Sequence, residues 1–330
     1  MKPWGSFTPK SQLCVTPEYP VQSFSGQTVI VTGSNVGLGL EAAHHIARLG
    51  ADKVILAVRN VGAGEEAQRS IEQSTGHHDV CEVWKLDLAS YSSVKEFALR
   101  ASRLSQLDVV LANAALAPSQ LTRAEGHERS ITVNVISTML LGLLLLPKLN
   151  ETASKFPDSH HCLSFVTSEV HAWTSLPERQ NSNIFATLDN EETTDIGQRY
   201  PTSKLLEVLL IRELVARMPA HSRVVVNMLN PGFCHSQLGR DSSWGTRLVL
   251  SLMRSVLARS TEVGSRTLVA GAAGGAESHG AYMTDGKVAN DALSPFVQSS
   301  EGEETQRRLW GELEVILEEV QPGVMRNVAG

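Results

Sequence analysis

The stretch VTGSNVGLGLEAA, residues 31–43, places a group of glycines between an apolar run and an amphipathic segment. The run TVIVTG (28–33) predicts a β-strand, and GLGLEAAHHIARLG (37–50) predicts a helix. Glycines in such a turn permit a close approach of the backbone to a pyrophosphate, which the helix N-terminus stabilises. The position predicts a dinucleotide-binding loop, against the alternative of a glycine-rich turn without a ligand. Its glycines are Gly33, Gly37 and Gly39, preceded by Thr32.

The alternation of strand and helix patterns continues along the chain. Six further β-rich runs follow, namely KVILAV (53–58), CEVWKLDL (81–88), DVVLANA (108–114), CLSFVTS (162–168), RVVVNMLNPG (223–232) and the weaker GAYMTDG (280–286). Apolar strands separated by amphipathic helices form right-handed βαβ units and a parallel sheet covered on both faces. We therefore predict an α/β fold with one doubly wound domain, a mostly parallel seven-stranded sheet and helices on both faces.

The chain shows no internal repeat and no Pro/Gly/Ser-rich linker. We predict an irregular N-terminal arm over residues 1–24 and a single domain over 25–330. Two segments, 174–198 and 237–261, break the alternation, and both follow the carboxyl end of a strand. Open α/β sheets bind ligands at that edge, so both are predicted to be substrate loops. The apolar residues 246–258 either cap an apolar substrate or touch a membrane surface, and the first interpretation is favoured.

Composition excludes several classes of protein. The chain has 330 residues, is 42% hydrophobic and carries a net charge of −6 without a Lys/Arg-rich run, which argues against nucleic-acid binding. The four cysteines show no CxxC spacing, so we expect neither a disulfide framework nor a metal site, and a reducing, cytoplasmic location. The N-terminus lacks the apolar region of a signal peptide. Polar residues interrupt the apolar segment 131–149, which predicts a buried helix and no transmembrane segment.

The end of the second predicted strand bears on the choice of dinucleotide. An NAD site usually has a carboxylate about 20 residues beyond the glycine loop, where it binds the ribose 2′-hydroxyl. Here the segment ILAVRN (55–60) has no acid and contains Arg59. A guanidinium suits a 2′-phosphate, so NADP(H) is preferred as the cofactor. The alternative is a surface arginine at the start of a helix.

Two polar residues follow the third and fourth predicted strands. Asp87, in KLDLAS, is placed to accept a hydrogen bond from an adenine amine, or to cap the next helix, as Ser90 also could; both roles are compatible. Asn113, in LANAA, is placed to bridge backbone strands beside the cofactor.

The stretch RYPTSK (199–204) places Tyr200 one helical turn before Lys204. A nearby ammonium favours the phenolate and lowers a tyrosine pKa, which suits proton exchange with a carbonyl oxygen. Ser168, at the end of a predicted strand, supplies a hydroxyl to the same pocket, and Asn134 is placed to hold a water that joins Lys204 to solvent. Pro201 predicts a helix start near Gly197 or Gln198, because proline is tolerated in the first turn.

With these motifs the sequence resembles the short-chain dehydrogenase/reductase superfamily, which is built on one Rossmann-like domain. They run in the family's order across roughly residues 26–290: TGSNVGLG, DL at 87–88, NAA at 113–115, Asn134, Ser168, YPTSK and NPG at 230–232. The segments VILAVRN, LTRAEGHERSITVNVIS and SKLLEVLLIREL resemble a subgroup that contains retinol dehydrogenase-like enzymes and fungal reductases. The resemblance implies that Asn134, Ser168, Tyr200 and Lys204 form a catalytic tetrad.

The resemblance also implies a set of residues that bind NADP(H). It consists of Thr32, Gly33, Ser34, Asn35, Gly37, Leu38, Gly39, Arg59, Asp87, Leu88, Asn113, Tyr200, Lys204, Pro231, Gly232 and Ser236. Two positions depart from the usual pattern, since Ala115 replaces a glycine and Ser236 a threonine. Neither change removes a catalytic group. The long interval between Ser168 and Tyr200 places an insertion over the substrate mouth.

Three functional hypotheses follow. The first is an NADPH-dependent reductase, or the reverse dehydrogenase, acting on the ketone or alcohol of a fairly apolar small molecule, as its relatives do in fungal natural-product pathways. The second is epimerisation or dehydration on the same fold. The third, a non-catalytic dinucleotide-binding protein, is disfavoured because Tyr200 and Lys204 are both present. The helix that carries Asn134 either packs against a partner subunit in a homo-oligomer or lies on its own sheet.

The sequence leaves open the roles of several histidines and aromatic residues. His160, His161 and Cys162 are adjacent in an extended run, and neighbouring side chains there point to opposite faces, which disfavours a metal site. His171 and two aromatic residues, Trp173 and Phe185, either line the substrate pocket or are ordinary loop residues.

Overall fold

The structure is a computed structural model that describes residues 9–192, 194–235 and 258–329. The strands of its main sheet are β1 (Thr28–Thr32), β2 (Lys53–Val58), β3 (Cys81–Lys85), β4 (Val109–Ala112), β7 (Cys162–Val166), β8 (Val225–Asn230), β9 (Tyr282–Thr284) and β10 (Lys287–Val288). Their order in the sheet is β10-β9-β8-β7-β4-β1-β2-β3, and all neighbouring strands are parallel except β9 and β10. A separate hairpin pairs β5 (Arg123–Ala124) with β6 (His127–Glu128).

Helices cover both faces of this sheet. The α-helices of the described residues are α1 (Pro9–Cys14), α2 (Gly37–Arg48), α3 (Val61–Thr75), α4 (Tyr91–Ala101), α5 (Ser137–Lys155), α6 (Ile184–Leu188), α7 (Ile196–Arg217), α8 (Thr261–Ala272) and α9 (Ser300–Val320). The buried residues of β1 alternate between two hydrophobic clusters: Ile30 packs in one, Val29 and Val31 in the other. Because successive side chains of a strand point to opposite faces, each cluster fills one side of the sheet. The predicted doubly wound α/β fold is confirmed.

The sheet has eight strands among the described residues, so the prediction of seven was wrong by one. β9 turns back through Asp285 and Gly286, both with positive φ, and pairs antiparallel with β10. An Asp-Gly pair is the preferred composition of such a two-residue hairpin turn. β10 escaped prediction because it has only two exposed residues, which is too short for a hydrophobic pattern.

The site lies at the carboxyl edge of the sheet, beside the paired strands β1 and β4. β1 pairs on one side with β2 and on the other with β4, and the crossovers from the two strands leave in opposite directions along the sheet. This arrangement opens a crevice beyond the carboxyl ends of the strands, where doubly wound sheets bind ligands.

The N-terminal arm is not wholly irregular, as had been predicted for residues 1–24, since α1 lies within it. Gln12 binds the loop after β8 through a reciprocal pair of hydrogen bonds: its Nε2 donates to the backbone oxygen of Phe233 over 2.7 Å, and its Oε1 accepts from Phe233 N over 3.0 Å. Arg259 reinforces the contact by donating to the backbone oxygens of Ser11 and Val15. The arm is therefore tied to the edge of the sheet that bears the site.

The segment 174–198 is more ordered than the loop that its polar composition predicted. It contains a 3₁₀ turn (Pro177–Gln180), α6 and the start of α7. Ile184, Phe185 and Leu188 are buried in the core beside α9. The three apolar side chains explain the difference, because they give a short helix a face to bury within an otherwise polar sequence. Most of the second predicted loop, 237–261, lies outside the described residues.

The apolar segment 131–149 forms part of a buried helix, as predicted. A π-helical turn (Ile131–Ile136) continues directly into α5, and this unit is long and apolar enough to cross a membrane by length and composition. However, 89% of its most apolar window is buried inside the chain, as for a core helix. The C-terminal helix α9 buries Leu309, Leu313 and Leu317 against the body of the protein.

Candidate active site

The glycine loop between β1 and α2 has the geometry that its sequence predicts. Gly33 and Gly37 have φ values of +66° and +63°, which residues with a Cβ rarely adopt. Gly39 is required for a different reason: a Cβ there would lie 2.5 Å from Asn113 Nδ2 and 2.6 Å from Gly33 O. Asn113 Nδ2 itself donates to Thr32 O over 2.8 Å. The loop is thereby held against the end of β4.

The crevice beside this loop has a volume of about 930 Å³. Nine of the predicted cofactor-binding residues line it, namely Gly33, Asn35, Gly37, Leu38, Gly39, Arg59, Asp87, Leu88 and Asn113. Thr32 and Ser34 are fully buried behind the loop and do not line the crevice. The Thr32 hydroxyl accepts hydrogen bonds of 2.9 Å from the backbone nitrogens of Asn113 and Ala114, so its visible contribution is to join β1 to β4.

Three features of the crevice fit an anionic dinucleotide. The N-cap of α2, Val36, has no side chain that bonds the first-turn N–H groups, and these groups belong to residues that line the crevice. An uncapped helix N-terminus attracts phosphate. Space is open beside Gly37, where a Cβ would meet no atom of the described residues within 4 Å. The exposed Arg59 adds a cation at the end of β2, and its guanidinium makes no ion pair with any described residue.

Asp87 lies on the same crevice and does not cap α4. Its Oδ1 accepts from Ala89 N over 3.0 Å, while Ser90 is the N-cap and accepts from Ser93 N. The structure thus separates the two roles that the sequence left open. The Asp87 carboxylate is half-buried at the crevice wall, next to Leu88.

The helix that carries Tyr200 and Lys204 begins at Ile196, slightly before the predicted start at Gly197 or Gln198. Asp195 caps it by accepting a hydrogen bond of 2.9 Å from Gly197 N. Pro201 therefore lies inside α7, beyond the first turn, and its lack of an N–H leaves the Gly197 carbonyl without its usual helical partner. The prediction that Pro201 belongs to the first turn was wrong, because the capping aspartate extends the helix toward the N-terminus by one more residue.

Tyr200, Ser168 and Lys204 are brought together at the carboxyl end of β7. The Ser168 hydroxyl is near enough to the Tyr200 phenol to lower its pKa, and the Lys204 ammonium lies 5.8 Å from the centroid of the Tyr200 ring. Lys204 is buried, and its Nζ donates to the backbone oxygen of Val166 over 2.9 Å. The strand and the helix together fix a phenol, a hydroxyl and an ammonium in one pocket.

The pKa of Tyr200 is shifted in the opposite direction to the one that the sequence predicts. Burial raises the pKa of Tyr200 above its ordinary value, and this outweighs the lowering by the Lys204 charge and by the Ser168 hydroxyl. Lys204 therefore lowers the pKa of Tyr200, as predicted, but the effect of burial on that pKa is larger. Burial also opposes the charge of Lys204, yet its pKa is raised, because Glu207 and Tyr200 stabilise the ammonium.

Glu207 is a member of this cluster that sequence reasoning missed. It is buried one turn beyond Lys204, and its two oxygens accept from Lys204 Nζ over 3.1 and 2.9 Å. Burial raises the pKa of Glu207 to about 7, while Lys204 opposes the shift. The signal in the sequence was an acid three residues after the lysine, in the otherwise apolar run LLEVLLI (205–211).

Asn134 lies in the π-helical turn that precedes α5. Its Oδ1 accepts from Leu116 N over 2.9 Å, and its Nδ2 donates to Leu116 O over 2.9 Å and to Ser203 Oγ over 3.0 Å. Single π turns inside α-helices occur frequently at functional sites. The side chain thus joins the segment after β4 to α7, next to Lys204.

His171 does not line the crevice. It is fully buried, its Nδ1 donates to Ser168 O over 2.8 Å, and its Nε2 accepts from Ser294 N over 3.1 Å. These partners fix the neutral tautomer and hold the backbone of Ser168. Phe185 is a core residue and Trp173 is about half exposed, so neither extends the cluster.

The segment after β8 supplies the last predicted residues. Asn230 Oδ1 accepts from Gly232 N over 3.0 Å, and Gly232 has a φ of +77°. Pro231 is buried beside it, and its backbone oxygen accepts from Arg259. Ser236 lies outside the described residues. Within residues 9–192, 194–235 and 258–329, no group of three or more His, Cys, Asp or Glu side chains is placed to hold a metal ion.

Comparison with known proteins agrees with this fold. Residues 27–155 match the family model described as short chain dehydrogenase. The chain is 46% identical to the short chain dehydrogenase/reductase dmxR8 of Cryptosporiopsis sp., over 96% of this chain and 98% of that protein. It is 43% identical to the short-chain dehydrogenase anuD of Penicillium roqueforti, over 95% and 83% of the two chains. The chain therefore belongs to the short-chain dehydrogenase/reductase family, and it is an oxidoreductase, which confirms the resemblance seen in the sequence.

Solved structures show the same architecture. The RhlG/NADP active-site complex of Pseudomonas aeruginosa superposes with a TM-score of 0.60 at 20% identity, over 81% of this chain and 97% of that chain.

Proposed function

We propose that this protein is an NADPH-dependent reductase, or the reverse dehydrogenase, acting on a ketone or alcohol of a fairly apolar small molecule. The observation that carries the proposal is the cluster of Tyr200, Ser168 and Lys204 at the carboxyl end of β7. A phenol fixed between a hydroxyl and an ammonium is an acid/base group suited to a carbonyl oxygen. The four residues of the proposed tetrad are Asn134, Ser168, Tyr200 and Lys204.

In this reaction each residue of the cluster has a distinct task. NADPH, when bound, would be the source of the hydride for the carbonyl carbon. Tyr200 gives its phenolic proton to the carbonyl oxygen, which receives the electron pair of the C=O π bond, and Ser168 donates a hydrogen bond to the same oxygen. Lys204 stabilises the phenolate that remains, and solvent returns the proton. In the oxidative direction Tyr200 accepts the proton of the alcohol.

The choice of NADP(H) rests on Arg59. Its exposed guanidinium lies at the crevice wall where a 2′-phosphate would need a cation, and the same strand end offers no carboxylate for a ribose 2′-hydroxyl. Asp87 is assigned to the adenine, and the glycine loop with the α2 N-terminus to the pyrophosphate. Pro231, Gly232 and Ser236 are assigned to the nicotinamide end. RhlG, a structural neighbour, is itself an NADP complex.

The substrate and setting are inferred from the surroundings of the site. The relatives of highest identity described above come from Cryptosporiopsis and Penicillium, which fits a role in fungal natural-product biosynthesis, on a polyketide or terpenoid ketone. We assign residues 25–330 to one catalytic domain. All four cysteines are free thiols, which supports a reducing, cytoplasmic location.

The test is the consumption of NADPH absorbance with a panel of apolar ketones, comparing wild type with Y200F. Loss of the phenol should lower turnover by about 10²–10⁴-fold, the usual contribution of a general acid. Thermal unfolding, measured on the same samples, should change little. Unchanged turnover in Y200F would refute the mechanism and favour a different reaction on this fold.

A further inference from the structure

Glu207 is an unusual residue to bury on a catalytic helix. It is only 3% exposed, and among the described residues its carboxylate bonds only Lys204. Its neighbours on α7, Leu205, Leu206, Val208 and Leu209, are fully buried apolar side chains. Removing a carboxylate from water costs several kcal/mol, and a buried ion pair rarely improves on well-packed apolar residues. Stability is therefore a weak explanation for an acid at this position, and its contact with Lys204 is a better one.

The contact uses much of the hydrogen-bonding capacity of Lys204. An ammonium has three N–H donors. Lys204 directs them to Val166 O and to the two oxygens of Glu207. The ammonium is thus held in one place beneath the Tyr200 ring, with its positive charge offset by a carboxylate at hydrogen-bonding distance.

Only three titratable groups act on one another in this pocket among the described residues. Tyr200 responds to Lys204 and Glu207, Lys204 to Glu207 and Tyr200, and Glu207 to Lys204. Besides these groups, the Ser168 hydroxyl affects Tyr200 and the backbone oxygen of Val166 accepts from Lys204, and neither of them carries a charge. A carboxylate in this place raises the pKa of both Tyr200 and Lys204.

We propose that Glu207 is a positioning residue whose carboxylate keeps the Tyr200–Lys204 pair fully protonated, and thereby sets the upper pH limit of carbonyl reduction. This inference rests on the proposed function, since it assigns Tyr200 as the proton donor. The phenol must carry a proton to donate one, and the ammonium must stay charged to stabilise the phenolate that results. Without the carboxylate, the first proton leaves the pair at lower pH, whichever residue releases it.

The first experiment is the pH profile of kcat for NADPH-dependent ketone reduction. E207Q keeps the shape of the side chain and removes its charge. We expect the alkaline limb of its profile to move to lower pH by about one unit or more. E207D, which keeps the charge, should retain a limb closer to wild type. E213Q is the matched control, because Glu213 is a buried acid on the same helix that bonds Gln306 and Arg217 instead of Lys204.

A second experiment measures the pair without turnover. The ε-carbon of Lys204, followed by NMR in protein labelled with ¹³C-lysine and assigned by its absence in K204M, reports the ionisation of the ammonium. In E207Q the titration midpoint of Lys204 should fall by about one unit or more, because a buried ammonium has lost its counter-ion. E213Q should leave it unchanged. Thermal unfolding checks that each variant is folded, and E207N replaces E207Q if the latter does not fold.

The outcomes separate the two proposals. An unchanged alkaline limb or an unchanged Lys204 midpoint in a folded E207Q variant overturns the role of Glu207, even if the wild type reduces ketones. A wild type that reduces no ketone overturns the proposed function, while a shifted Lys204 midpoint in E207Q still supports the action of Glu207 on the ammonium.

Discussion

The side-chain amide of Asn134 donates to Ser203 Oγ over 3.0 Å and so joins the π-helical turn before α5 to the helix that carries Tyr200. The same amide exchanges two hydrogen bonds of 2.9 Å with the backbone of Leu116. Asn134 is fully buried. It therefore fixes the distance between two walls of the site, in addition to the role in a catalytic tetrad that the family resemblance implies.

Replacing Asn134 should cost both stability and activity. Asn134→Ala leaves the N–H and C=O of Leu116 without these partners, and we expect the free energy of unfolding to fall by about 3 kcal/mol. Urea denaturation followed by circular dichroism measures the change. Ser137→Ala is the control, because the Ser137 hydroxyl is equally buried and has no hydrogen-bond partner among the described residues. Equal effects of the two substitutions would contradict this account.

The cofactor preference depends on one guanidinium. Arg59→Glu should raise the Michaelis constant for NADPH by about tenfold or more, since a charge-assisted hydrogen bond contributes about 1.5–3 kcal/mol, and should affect NADH much less. The measurement is the initial rate at varied concentrations of each cofactor. Arg69→Glu places the same charge change on the exposed face of α3, away from the crevice. Parallel losses for NADPH and NADH would refute the assignment to the 2′-phosphate.

Two glycines near the crevice predict opposite results. Gly39→Ala forces a Cβ to within 2.6 Å of both Asn113 Nδ2 and Gly33 O, so the glycine loop must shift. We expect weaker NADPH binding, measured by fluorescence titration, and a lower unfolding temperature. In Gly62→Ala, on α3, the new Cβ would lie no closer than 3.6 Å to any described atom. This substitution should stabilise the helix by up to about 1 kcal/mol. A Gly39→Ala variant that binds NADPH like wild type would show that the loop is not held as described.

The buried His171 predicts a pH dependence of stability. Burial lowers the pKa of His171, which outweighs the opposing hydrogen bond to Ser168 O. The unfolded chain therefore binds a proton at His171 at a higher pH than the folded chain, and this group destabilises the fold as the pH falls below its ordinary value. His171→Asn should remove up to about 1.4 kcal/mol per pH unit of that dependence.

The measurement is the free energy of unfolding of wild type and variant at about pH 7.5 and about pH 5.5. The difference between the two proteins should shrink or reverse toward acid pH. His221→Asn, at an exposed position, should follow the wild-type dependence. The same dependence in wild type and His171→Asn would mean that His171 does not contribute.

The sequence predicts much of the fold because its strands are buried on both faces. All five residues of β1 and of β7 are buried, and such strands form uniform apolar runs that are visible without a structure. The glycine loop is equally visible, since Gly33 and Gly37 need positive φ values that other residues avoid.

What the sequence did not predict depends on contacts between distant residues. The ion pair of Glu207 with Lys204 needs the burial of both side chains, which a helical pattern alone does not reveal. The π-helical turn at Asn134 has no distinctive composition, and the position of Pro201 within α7 depends on the cap at Asp195. The order and pairing of the short strands β9 and β10 likewise come from packing, not from hydrophobic pattern.

The reciprocal hydrogen bonds between Gln12 and Phe233 have a practical consequence for work with this protein. A Cβ at Gly232 would also lie 2.9 Å from Gln12 Oε1, so the arm is packed tightly against the loop that follows β8. A shortened N-terminus that lacks Gln12 would therefore disturb a wall assigned to the nicotinamide, although Gln12 and Phe233 are 221 residues apart in sequence. Kinetic constants should be compared only between proteins that share the same N-terminal residues.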